Sequence, residues 1–243
     1  MDDMTENTHL VITSNLTEHD LTTQVTHILE TASDLIIRYG FDKTTMDEIA
    51  REAGVSKSAL YLIWSSKDQL LSALLAYQMR RLLLDFSARL EADPDGGRIA
   101  NLYRHALLAL KSNPLMAAMY TRDSRLLGDF VHQQDVTRYN SRIMLGLTAI
   151  TQMQAAGLLQ QGIRPEVITY VLSIISLGFI HIQSIVPTAE APPLDEVAEA
   201  ISHLMEHGFA GTSEGGEVGK QAILNIVDLA IRQYDEELAK TKR

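Results

Sequence analysis

Three helix-start signals crowd into residues 45–69, and this spacing constrains the chain more than any other feature of it. Thr45-Met46-Asp47-Glu48 is a capping box: the threonine hydroxyl can bond the amide three residues on while Glu48 reaches back. Ser56 is a second N-cap, ahead of Lys57-Ser58-Ala59-Leu60-Tyr61-Leu62, and Ser66 with Gln69 is a third capping box, opening a long helix to about Glu91. Gly54 stops the first helix. What results is two very short helices, Asp47 to Ala53 and Lys57 to Leu62, joined by a three- to four-residue turn containing glycine. Those are the dimensions of a DNA-binding helix-turn-helix.

A helix that enters the major groove needs small or hydrogen-bonding residues on its outer side and a packing face on its inner side. Leu60 and Trp64, four apart, supply the inner face. Lys57, Ser58, Ala59 and Tyr61 face outward: Lys57 can donate to guanine or phosphate, Ser58 to either edge, Ala59 can meet a thymine methyl and Tyr61 can bond phosphate. The helix starts at Thr45 and Ser66 add backbone donors for phosphates, with Lys67 beside the second.

Composition agrees with a helical protein. Of 243 residues, 46% are hydrophobic and 21% charged, with 6 prolines and 14 glycines, which argues against disordered, collagenous or many-turned all-β chains. The absence of cysteine removes disulfides, thiolate metal sites and thiol nucleophiles, and fits a reducing compartment. The net charge of -10 excludes an indiscriminate polyanion binder. That acidity lies outside the short helices: residues 22–81 balance seven bases against seven acids, while residues 1–21 carry five acids and no base. The first residues are too acidic for a signal peptide. Val167 to Val186 holds no Asp, Glu, Lys or Arg, but its polar residues and missing basic flanks speak against a membrane span. An uncharged helix of this kind is covered on all sides, by its own domain and by a second molecule.

The helical periods predict elements at 22–39, 47–53, 57–62, 66–91, 98–112, 114–128 (broken), 130–158, 165–186, 194–209 and 217–240. Gly211 to Gly219 reads as a flexible link, and the last helix sets an apolar stripe of Ile223, Ile226, Val227, Ala230, Tyr234 and Leu238 against Lys220, Asp228, Arg232 and Glu236. The expected organisation is a flexible acidic arm over 1–21, a helix-turn-helix domain over 22–70, a ligand-binding and dimerisation domain over 71–210, and a linker with an extra C-terminal helix over 211–243. The fold class is all-α, an N-terminal three-helix helix-turn-helix domain joined by a long helix to a larger helical ligand-binding and dimerisation domain.

Residues 28–75, with R-Y-G-F, T-T-M-D-E-I-A, A-G-V-S-K, L-Y and a helix opening S-K-D-Q-L-L, resemble the DNA-binding domain of TetR-type transcriptional regulators. The resemblance implies a homodimer on a pseudo-palindromic operator, a small ligand held in the larger domain, and a four-helix dimer bundle, placed here at about 165–186 and 194–209. The expected protein is a cytoplasmic repressor that is no enzyme and needs no cofactor, and the Leu, Ile, Met and Ala available to wall a pocket point to an apolar or amphipathic effector that releases it. The sequence departs from the family at Ile63, where a Tyr or His usually bonds phosphate, at Trp64, usually Phe, and at Leu62, more apolar than is common. Losing the bond at Ile63 costs on the order of 1 kcal/mol per half-site. The alternative reading is therefore a helical ligand-binding dimer whose DNA-reading head is weakened or lost.

Two other constellations remain. His203-Leu204-Met205-Glu206-His207 has the H-x-x-E-H spacing of inverted metalloproteases, against the plainer reading of a dimer helix with those polar groups on its solvent side. No catalytic or metal site is expected. For the effector, Tyr103, His105, Tyr120, Asn140, Gln152, Tyr170 and His181 are candidates to converge among apolar helices.

Overall fold

Ile28, Leu29, Ala32 and Ile36 recur at helical spacing and are almost wholly buried, forming the inner face of α1 (Glu18–Tyr39). Against it lie α2 (Met46–Glu52) and α3 (Lys57–Ile63), and α4 (Lys67–Ala92) carries the chain from this head into the body. The body holds α5 (Ile99–Lys111), α6 (Pro114–Thr121), α7 (Ser124–Leu127), α8 (Phe130–Gln133), α9 (Val136–Ala155), α10 (Pro165–His181), α11 (Leu194–Phe209) and α12 (Gly216–Lys240). This computed structural model describes the backbone of residues 18–133, 136–182, 185–186, 189–211 and 216–240, with side chains for 23–131, 146–182, 185–186, 189–211 and 216–239. The fold is all-α: among the described residues the only β pairing is one isolated antiparallel bridge, Leu159 to Ala210. No helix among them is long and apolar enough to cross a membrane.

Several boundaries differ from the periodic reading. Residues 18–21 belong to α1, while the rest of the expected arm lies outside the described residues. The expected break in 114–128 falls at Arg122, whose left-handed backbone (φ 54) ends α6, and the Asp123 carboxylate then accepts the Arg125 amide at 2.9 Å to start α7. The span 130–158 contains two helices, and α10 ends at His181. Helix α12 starts inside the glycine stretch read as a link, of which 212–215 lie outside the described residues.

Lys220 shows the largest departure. Placed on the polar face by the period, it is 8% exposed and donates from Nζ to the carbonyls of Glu91 and Asp93, 3.0 Å each. These carbonyls lie at the end of α4, where a cation is favoured, and the Asp93 carbonyl also accepts the Gly96 amide at 3.0 Å.

Two apolar clusters organise the molecule. One joins α1–α3 to the first half of α4 and continues into Leu115, Met116, Leu127 and Phe130 of the body. The other gathers α5, α9–α12 and the second half of α4, including Phe86 and Leu90. A buried polar relay crosses α4 between them: Gln78 Nε2 donates to Ser33 Oγ (3.1 Å), and Asn113 Nδ2 donates to the Gln78 carbonyl (3.1 Å) and side-chain oxygen (3.0 Å). The head also touches the body directly, where Phe41 N donates to Leu126 O at 2.8 Å and the Phe41 and Phe130 rings lie 5.9 Å apart.

Gln78→Leu removes the middle of the relay: the buried Ser33 hydroxyl loses its donor, and the Asn113 amide keeps only the main-chain carbonyl of residue 78 as acceptor. The substitution should lower unfolding stability by about 1–3 kcal/mol in urea titrations, more than Ser33→Ala does.

Candidate nucleic-acid interface

The turn between α2 and α3 is fixed by its glycine. Gly54 (φ +67) follows Ala53, its amide donates to Arg51 O at 3.2 Å and the Val55 amide to Ala50 O at 3.0 Å, the paired bonds of a Schellman end. Ser56 Oγ then accepts the Ala59 amide at 3.1 Å and α3 begins. Leu60 and Trp64 are fully buried beneath it. Lys57, Ser58, Tyr61 and Leu62 stand on the exposed side, Leu62 at 83%, while Ala59 is half-buried. The outer face therefore offers an ammonium, a hydroxyl, a phenol and an isobutyl group.

Lys57 is not isolated. Its ammonium pairs with Asp47 at 2.8 Å, across from α2, and sits 5.9 Å from the Tyr61 ring, so that bonding to the Asp47 carboxylate raises its pKa. The capping box at α2 is complete: Thr45 N donates to Glu48 Oε2 at 2.9 Å, the Thr45 hydroxyl donates to the same oxygen, and Glu48 N donates to Thr45 Oγ1 at 3.2 Å. Those bonds to Thr45 hold the Glu48 carboxyl below the usual glutamate range. At α4, Ser66 Oγ accepts the Gln69 amide at 3.2 Å, but the Gln69 side chain bonds the amide and hydroxyl of Ser65, so this start is not the reciprocal box expected.

Lys67, expected beside a phosphate, and Ile63, which stands where the family usually bonds one, both turn to the head itself. Lys67 donates to Phe41 O (2.9 Å) and Thr44 O (3.1 Å) with its ammonium 4.2 Å from the Phe41 ring centre, so it fastens the α1–α2 turn to α4. Ile63 is half-buried and packs on the head cluster, which gives its apolar side chain a use where the family usually has a hydrogen bonder. Neither the Asp47 partner of Lys57 nor the inward turn of Lys67 was readable in advance, because both join residues distant in the chain.

The seven effector candidates separate. Tyr103 is buried, donates to Leu172 O at 2.7 Å and lies 2.8 Å from Ser176 Oγ; burial pushes its hydroxyl above the ordinary tyrosine pKa. The half-buried Tyr120 donates to Ser173 O at 3.3 Å, so two phenols converge on α10. His105 instead faces Asp93 at 2.7 Å at the end of α4. Gln152, Tyr170 and His181 are exposed, and Asn140 lies outside the residues whose side chains are described. A cleft of about 410 Å³ opens elsewhere, between α1, α4 and the α5–α6 corner, lined by Asp34, Gln78, Arg81, Asp85 and Arg89 among others, and by none of the seven.

In the H-x-x-E-H segment, Glu206 is ion-paired with Arg98, and His207 Nδ1 lies 2.8 Å from the His203 carbonyl. Among the described residues no three His, Asp or Glu side chains gather as metal ligands.

Residues 28–74 match the family model described as bacterial regulatory proteins, tetR family. The uncharacterized HTH-type transcriptional regulator YdeS of Bacillus subtilis is 27% identical over 142 residues, 56% of this chain and 63% of that protein. The HTH-type transcriptional regulator SrpR of Pseudomonas putida is 37% identical over 60 residues, 25% of this chain and 28% of that protein. The chain thus spans less than two thirds of the length of these curated relatives. Among solved structures, NalD of Pseudomonas aeruginosa, the secondary repressor of the MexAB-OprM multidrug efflux pump, superposes with TM-score 0.57 at 20% identity over 79% of this chain and 98% of its own. The transcriptional regulator FadR of Bacillus subtilis, solved with stearoyl-CoA, gives TM-score 0.58 at 14% identity over 75% of this chain and 98% of its own. These structures establish the fold.

Gly54→Ala should cost about 1–2 kcal/mol, since an added Cβ meets nothing within 4 Å and only the left-handed backbone resists it. The capping-box contribution of Glu48 is fully present above the ordinary glutamate pKa and is lost as pH falls through its lowered value. Amide exchange in α2 should therefore accelerate on the acid side, and Glu48→Gln should remove that pH dependence.

Proposed function

We propose, for a chain that belongs to the TetR family of transcriptional regulators through residues 28–74, that it is a ligand-responsive repressor acting in the cytoplasm as a homodimer on a pseudo-palindromic operator. The observation that carries this reading is the outer face of α3: Lys57, Ser58 and Tyr61 stand exposed on a helix whose inner face is locked by Leu60 and Trp64. Ser58 with Ala59 contacts base edges, and Lys57 and Tyr61 position the helix on phosphates, joined by the backbone at Thr45. Leu62 faces the same groove. Ile63 and Lys67 act from behind, holding the head together.

The division of labour follows the elements: residues 22–70 read DNA, 71–210 bind ligand and dimerise, and 211–243 add the C-terminal helix. The dimer forms through about 165–186 and 194–209. Support comes from apolar groups left bare in a single chain, Tyr170 at 71%, Ile174 at 55% and Leu204 at 67% exposed. Two recognition helices then sit about one DNA turn apart, about 34–36 Å. A small apolar or amphipathic effector, held beside Tyr103 and Tyr120, favours a state with different head spacing, passing its effect through α4 and through the contact of Phe41 with Leu126.

The alternative, a helical ligand-binding dimer whose head no longer reads DNA, draws on the bare Leu62 and on Ile63. Retention of the protein's own promoter region separates the two. Repression predicts salt-sensitive, sequence-selective retention; Lys57→Ala should weaken it at all sequences and lower the salt slope by about 1, whereas Ser58→Ala should relax sequence preference. No selective retention at low salt would sink the repressor reading.

A further inference from the structure

Helix α12 runs antiparallel along α4, and each end of it is tied. At its start, Lys220 caps the carbonyls of Glu91 and Asp93. There the backbones meet so closely that a Cβ on Gly97 would come within 1.7 Å of Gly216 O, and one on Gly219 within 2.3 Å of the Leu158 side chain. Its middle is buried at Ile223, Val227 and Ala230, the first two in the cluster that holds Phe86 and Leu90. Near its end, Asp235 is ion-paired with Arg80, and Leu238 packs on the other cluster, the one built around the head. One helix therefore spans α4 from its body end to the turns that support α1.

We propose that α12 is an intramolecular strap that splints α4 and thereby fixes the orientation of the reading head relative to the body. The start is the anchor, because its lysine is buried and its backbone at Gly216 and Lys220 lies so close to Gly97 that no side chain fits there. The Arg80–Asp235 pair and Leu238 are the releasable end, since both charged groups reach solvent. With that end held, α4 behaves as one rigid lever. With it loose, the first half of α4 and the head move independently of the body, and the fraction of molecules with correctly spaced heads falls.

The consequence for DNA rests on the repressor reading, while the mechanical claim does not, so both are measured. In the full chain, Asp235→Arg sets two cations together. Amide hydrogen exchange in α1 and residues 67–80 should speed up about 5-fold or more, with far-UV circular dichroism unchanged, and affinity for the promoter fragment should fall by a similar factor. That fall would run against the added positive charge, which by itself strengthens DNA binding. The charge swap Arg80→Asp with Asp235→Arg should restore both readouts to within about 2-fold of the parent. Unchanged exchange in the head, or a swap that fails to restore it, overturns the strap. Faster exchange with unchanged promoter affinity overturns its control of reading. If the parent protein retains no promoter DNA, the repressor reading fails and the exchange experiment still decides the strap.

Discussion

Everything in the molecule depends on α4 being covered along its whole length. A 26-residue helix with five buried leucines and a buried phenylalanine has no solvent face wide enough to stand alone. Each such side chain contributes about 1.5–3 kcal/mol on burial, so α4 gathers partners from both parts of the chain. The head closes over its first half, and α5 and α12 close over its second. Between the two apolar stretches lies Gln78, whose bonds to Ser33 and Asn113 satisfy polar groups that a purely apolar joint would leave stranded. Because hydrogen bonds have direction and apolar contacts do not, that relay sets the angle at which α1 and α6 meet the helix.

Most of the helical framework was legible because local chemistry dictates it. Thr45, Ser56 and Ser66 mark starts that depend only on residues three positions on, and Pro165 sits at the first turn of α10 where a missing amide costs nothing. What was not legible depended on distant partners. The break at Arg122 lies in a sequence without Gly or Pro at that point, and is held by contacts such as its guanidinium on Val131 O at 3.3 Å. Lys220 follows the polar period of α12, yet the open end of α4 draws it inward. A period counts faces; it does not know which neighbour lies behind a face.

The candidate site divides in the same way. The inward Leu60 and Trp64 and the outward Lys57, Ser58 and Tyr61 follow from helical spacing on a seven-residue helix. The tie of Lys57 to Asp47 and the turning of Lys67 onto the Phe41 ring require the tertiary packing of the three helices. For the effector candidates, residue type alone was the guide, and polar side chains scattered over helices have no rule that brings them together. Tyr103 and Tyr120 meet because α5 and α6 both lean on α10; Gln152 and Tyr170 sit on the far faces of theirs.

The contact between the α1–α2 turn and the body has a consequence for how such chains can be recombined. An added Cβ on Gly128 would lie 2.1 Å from the Asp42 carboxylate, and one on Gly40 would lie 3.0 Å from Arg125 O. Head and body thus meet closely on either side of Phe41, through main chain at Gly40 and through the Asp42 side chain at Gly128. A reading head transplanted from a relative at the start of α4 would bring its own turn against a foreign α7. For a chimera to inherit an intact joint, the segment 122–131 must travel with the head, so the portable unit is discontinuous in sequence although compact in space.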